Sequence, residues 1–138
     1  MKKLLFPAIA LLFFSCSNHA TLVGSWVNND SYSEKKTIFN QDGSLTVIKG
    51  NDVKGSTNEE LGQKLSWETD ETKTPHWLTY VLVDTKSNET IMTIKGIYEF
   101  LDDNTVRICF NSEYNKEKML IRPTSFDEGE TKVLKRDK

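Results

Sequence analysis

From Leu22 onward, apolar and polar residues alternate in short runs separated by turn-forming clusters, and no apolar stretch keeps a helical period beyond two turns. This pattern predicts β-strands near residues 24–28, 35–40, 44–49, 65–69, 77–84, 90–101, 105–111, 118–122 and 131–136. Asn40-Gln41-Asp42-Gly43, Lys86-Ser87-Asn88 and Leu101-Asp102-Asp103-Asn104 supply residues that accept positive φ or bond their own backbone. Each therefore reads as a hairpin turn. Residues 50–64 are polar and weakly patterned, and Thr57-Asn58-Glu59-Glu60 has the form of a capping box, so one helical turn is expected there.

Eight or nine closely spaced strands with almost no helix predict an all-β domain, either a sandwich or a small antiparallel β-barrel. Consecutive hairpins favour up-and-down closure, which removes sheet edges. In the longest hairpin Met92, Ile94, Gly96, Tyr98 and Phe100 share one face, and the returning strand puts Val106, Ile108 and Phe110 on the matching face. These rows are expected to point inward, with Gly96 leaving a gap in the wall against which an apolar ligand could lie.

The first residues have a different logic. Lys2 and Lys3 precede the apolar run 4–14, then Ser15 and Cys16, which describes a secretory signal too short to span a bilayer. With Leu12, Phe13 and Phe14 before Ser15-Cys16, the segment resembles a bacterial lipobox. That resemblance implies a diacylglyceryl thioether on Cys16 and cleavage before it. The division expected is a lipoprotein signal peptide over 1–15, a lipidated cysteine and tether over 16–21, and one domain over 22–138. An ordinary secretory signal cut near Ala20 is the alternative. Once Cys16 carries lipid, Cys109 is the only thiol, so no intramolecular disulfide forms and stability rests on packing. Serine rather than aspartate at position 17 points to the cell envelope, at an outer membrane and facing the periplasm.

Charge narrows the partners further. The chain carries 18 basic and 20 acidic side chains, a net of −2, and removing Lys2 and Lys3 leaves 16 basic against 20 acidic, a net of −4. Such a balance offers no electrostatic drive toward nucleic acid.

Leu22-Val23-Gly24-Ser25-Trp26 resembles the Gly-x-Trp signature that opens lipocalins. Lys95-Gly96-Ile97-Tyr98-Glu99-Phe100, Thr105-Val106-Arg107-Ile108-Cys109-Phe110, Ile121-Arg122-Pro123-Thr124-Ser125-Phe126 and Val133-Leu134-Lys135-Arg136 follow in the order seen in an uncharacterised bacterial lipocalin-like family of small β-domains. The resemblance implies a lipocalin-like barrel closed by Gly24, Trp26 and Arg136, with Arg136 packed over the tryptophan. That family often has Glu where Ser125 stands.

Chemistry-bearing residues are sparse. His19 and His76 are the only histidines, no short-spaced metal-ligand set exists, and no nucleophile elbow, P-loop or dinucleotide fingerprint occurs, so neither catalysis, metal nor cofactor is expected. Cys109 reads as a small buried residue, because a reactive thiol needs a neighbouring base or cation. Arg122 is a candidate for binding an anion, though it could equally cap carbonyls or stack on a tryptophan, with Phe126 plugging a barrel end. Trp67, Met92, Ile94, Tyr98, Ile108 and Phe110 are candidates to line an apolar pocket, with Trp77 beside them. The expected function is a membrane-anchored lipoprotein holding a small apolar or amphipathic ligand. A solid-cored module docking on an envelope protein is the alternative.

Overall fold

A computed structural model describes residues 20–30, 33–58, 62–111, 117 and 120–137. They form nine strands: β1 (Gly24–Asp30), β2 (Ser33–Phe39), β3 (Leu45–Lys49), β4 (Asp52–Asn58), β5 (Gln63–Asp70), β6 (His76–Asp84), β7 (Thr90–Asp102), β8 (Thr105–Phe110) and β9 (Glu130–Arg136). Each is antiparallel to its sequence neighbours, and β9 returns to β1 to close a barrel. The closing seam is short, with Trp26 opposite Arg136 and Val27 opposite Lys135.

Nine strands alternating in direction cannot close a ring, since an odd count would leave one pair parallel. The pairing shows how the ring escapes this. An isolated antiparallel bridge joins Ser44 to Ser66, and the Trp67 N–H donates to the Gly43 carbonyl at 2.9 Å, so β3 and β5 meet directly at their lower ends. The β4 backbone runs down along β3 as far as Gly55 opposite Thr46, then along β5 from Ser56 opposite Leu65 to Asn58 opposite Gln63. Both runs are antiparallel to their neighbour, so β4 must reverse its heading near Gly55 and fill the wedge where β3 and β5 diverge. The closed ring is eight-stranded at its base.

The turns follow from their residues. At 40–43 the Gly43 N–H donates to the Asn40 carbonyl at 3.0 Å, Gly43 sits at φ 90°, and Asp42 accepts from the Ser44 backbone at 2.8 Å. Asn88 takes φ 59° in the β6–β7 turn, a region that asparagine tolerates. At the β7–β8 turn the Asn104 N–H donates to the Asp102 carboxylate at 2.8 Å.

The inward rows meet in a core of Leu22, Trp26, Phe39, Leu45, Leu78, Tyr98, Val106, Ile108 and Leu134. Aromatic rings fill the lower half, with Phe39 edge-on to Trp67 at 5.2 Å and Tyr98 edge-on to Phe100 at 5.8 Å. Both indole N–H groups within this half are satisfied: Trp26 donates to the Leu22 carbonyl at 2.8 Å and Trp67 to the Asn40 carbonyl at 3.1 Å. This end is the floor.

Two expected elements differ. Thr57 and Asn58 belong to β4 and not to a helical turn, because backbone pairing on both sides overrides weak local preference; Glu59 and Glu60 lie outside the described residues. The strand expected over 118–122 is absent from its described part, residues 120–122, which are irregular. Instead the Ile121 carbonyl accepts from the Asn111 side chain at 2.6 Å, and the chain through 129 lies as a strap on the outside of β7 and β8. Under this strap the outward residues Ile97 and Cys109 are 1% and 0% exposed, and Pro123 is fully buried. The wall is therefore dry on both faces here.

Candidate functional site

Above the aromatic floor the packing stops short of the rim. The remaining space is a cavity of about 130 Å³. Its apolar wall is Tyr80, Ile94, Ile108, Phe110 and Leu134; its polar wall is Asn28, Lys35, Thr37, Asn111, Glu130 and Lys132. Strand parity places each of them. Asn28 is two residues beyond Trp26 on β1, Thr37 and Lys35 step up β2 from Phe39, and Lys132 and Glu130 step up β9 from Leu134. Each strand thus turns from apolar to polar as it climbs from floor to mouth.

Of the six candidate lining residues, Ile94, Ile108 and Phe110 border the cavity. Trp67 and Tyr98 are packed into the lower half, where Phe39 and Phe100 cover their rings. Met92 lies at the mouth opposite Leu82, 38% exposed, and does not border the space. Trp77 faces outward and is no part of the interior, with the Lys73 ammonium 4.8 Å and the Arg122 guanidinium 4.4 Å from its ring centre. Gly96 leaves no gap, because a Cβ built there would fall 2.5 Å from the Phe110 ring. Phe110 has taken the space.

Tyr80 stands at the junction of floor and cavity, 4.8 Å from the Phe110 ring and 6.2 Å from Phe39. Burial pushes its phenol far above the ordinary tyrosine range, so it is a neutral hydroxyl.

Arg122, the candidate anion site, turns its guanidinium to the wall. Nη1 donates to the Leu78 carbonyl at 3.0 Å and the Gly96 carbonyl at 2.6 Å, and Nη2 donates to the Thr79 hydroxyl at 2.9 Å. Stacked on Trp77 as well, it clamps the strap to β6 and β7. A shallow hollow of about 200 Å³ beside it is lined by Thr74, Pro75, Trp77, Ile97 and Pro123. Phe126 plugs no barrel end; it lies outside, 3.8 Å from the guanidinium of Arg107, whose side chain also meets Glu99 at 3.0 Å.

At the floor the Arg136 guanidinium sits 4.2 Å from the Trp26 ring and donates to the carbonyls of Val23, Thr21 and Asp103 at 3.1–3.2 Å. Gly24 takes φ 129°, and a Cβ there would approach Arg136 Nη1 to 3.1 Å, so only glycine suits this position. His76 is held by its own turn, with Nδ1 3.0 Å from the Lys73 carbonyl and its ring against Tyr98. Among the described residues no group of three or more His, Cys, Asp or Glu is placed to hold a metal. Cys16 and His19 lie outside the described residues.

Compared with known protein families, curated proteins and solved structures, the chain matches none.

The polar half of the lining is not marked by hydrophobicity, which singles out the aromatic and aliphatic residues alone. The signal was present. Extending the inward parity of Trp26, Phe39 and Leu134 upward reaches Asn28, Thr37, Lys35, Lys132 and Glu130 in turn.

Proposed function

We propose that this chain is a lipocalin-like lipoprotein of the cell envelope, anchored through lipid on Cys16, whose barrel holds a small apolar or amphipathic ligand in its open end. One observation carries the ligand reading: five apolar side chains form one wall of a cavity whose other wall and rim are polar, the arrangement expected of a small-molecule site. The size limits the guest. At roughly 10–15 Å³ per water-sized group, the space takes on the order of ten non-hydrogen atoms, so it suits a short molecule or the end of a longer one.

A thermal-shift series with the purified protein tests the reading, using short alkyl acids, alcohols and hydrophobic dyes. A ligand at a hundredfold excess over its Kd stabilises the fold by roughly 2.7 kcal/mol. Ile94→Trp, which places a larger ring in the space, should abolish the shift. If no probe moves the midpoint of either protein, the barrel acts as a scaffold, and docking through its outer surface takes the lead. For the anchor, a palmitate analogue should label the wild type and not Cys16→Ser, and absence of label on the wild type would refute lipidation.

A further inference from the structure

We infer that the cavity selects an anionic amphiphile, with the head group at Lys132 and the apolar part against Ile94, Ile108 and Phe110. This rests on the ligand-binding reading above and adds the sign of the head. Lys132 occupies an inward position on β9, directly opposite Ile108 of the apolar wall and one inward step below Glu130 at the rim. It is half-buried, whereas Glu130 is exposed. A half-buried lysine on an inward wall lays its stem along apolar surface and keeps its ammonium in the water of the mouth, where an arriving anion can replace part of its hydration. Among the described residues no carboxylate lies within ion-pair distance of Lys132, and the ion pairs present elsewhere are Lys36 with Asp137 and Arg107 with Glu99.

The local balance supports the same sign. The chain as a whole is acidic at −2, yet among the described lining residues the lysine without an ion-pair partner, Lys132, lies deeper than the one carboxylate, Glu130, which is exposed at the rim. A carboxylate or phosphate entering the mouth therefore meets positive charge at the depth where the wall turns apolar. A cationic head would meet repulsion there, and a neutral one would gain only the apolar contact.

Isothermal titration of the purified protein at low salt separates the cases, with octanoate, octyl phosphate, 1-octanol and octyltrimethylammonium as probes. Octanoate or octyl phosphate should bind roughly tenfold more tightly than 1-octanol, a difference of about 1.4 kcal/mol, and the cationic probe more weakly than either. The preferred acid identifies the head as carboxylate or phosphate. Lys132→Gln should remove the preference, so that octanoate, octyl phosphate and 1-octanol bind that variant with similar affinity, and Lys132→Arg should retain it. Equal binding of all four probes would overturn the head-group assignment and leave the cavity reading standing. Absence of binding by every probe would overturn both.

Discussion

The guanidinium of Arg136 lies 4.2 Å from the ring of Trp26, and the two residues are also opposite each other in the short register that joins β9 to β1. One contact therefore closes the barrel twice, through the backbone seam and through the side chains beneath it. Trp26→Ala should cost about 3–5 kcal/mol in urea denaturation, from lost burial and the cavity left behind. Arg136→Ala should cost about 2 kcal/mol by losing three carbonyl bonds and the stack. Arg136→Lys should recover only part, since an ammonium cannot fork to three carbonyls while lying flat on a ring. Costs below about 1 kcal/mol for both alanine variants would mean the seam holds without this pair.

Gly96 faces Phe110 so closely that even a methyl group collides with the ring and with the Cys109 carbonyl. Gly96→Ala is expected to destabilise by about 1–3 kcal/mol as an overpacked wall. Phe110→Leu should relieve part of that loss, giving a double variant less destabilised than the sum of the singles. Strict additivity in a denaturation cycle would show that the two do not compete for space.

Cys109 is fully buried beneath the strap, its thiol directed at the Ser125 carbonyl 3.9 Å away. Native protein should therefore react with a thiol reagent far more slowly than denatured protein. If Arg122 clamps the strap, Arg122→Ala should speed labelling at Cys109 more than it lowers global stability. An unchanged labelling rate in that variant would place the strap's hold elsewhere.

Burial, and secondarily the Glu71 carboxylate, pushes the Tyr98 phenol up to about 12, and burial alone raises Tyr80 further. Because these folded values lie above the ordinary 10.0, the folded state holds its phenolic protons more tightly than the unfolded chain. Their contribution is complete below pH 10 and is lost as pH rises from 10 toward 12. Ultraviolet titration should show these two tyrosines ionising together with unfolding, and Glu71→Gln should lower the Tyr98 value. Ionisation near pH 10 with the fold intact would contradict the burial described.

Much of the fold could be read from alternation, because a strand with one dry face declares itself every second residue. Trp26, Phe39, Tyr98, Phe100 and Leu134 follow that rule, and their strands lie close to the expected positions. β4 could not be read so. Its residues Asp52-Val53-Lys54-Gly55-Ser56-Thr57-Asn58 carry no apolar alternation, and it exists because two diverging strands leave backbone groups to pair. The strap misled for the opposite reason. Ile121 has the look of a strand residue but is 60% exposed, while the burial beneath the strap comes from Pro123 and from the outward side of β7 and β8. The cavity was half legible: its apolar wall follows from the inward rows, whereas Lys132 and Lys35 look like solvated residues until their parity is counted.

Arg136 reaches past the seam to the carbonyls of Thr21 and Val23, so the incoming chain is gripped at the floor, at the end of the barrel opposite the cavity. A pull on the chain at Thr21 is therefore transmitted straight to the closing pair, at the end of the barrel opposite the mouth. From Cys16 to Thr21 the chain advances five residues, at most roughly 18 Å were it fully extended, so under the lipid-anchor proposal the bilayer would lie near the floor end, with the barrel standing on it like a cup on its base. A guest would then enter and leave from the aqueous side, and exchange with that same bilayer would require the cup to tip.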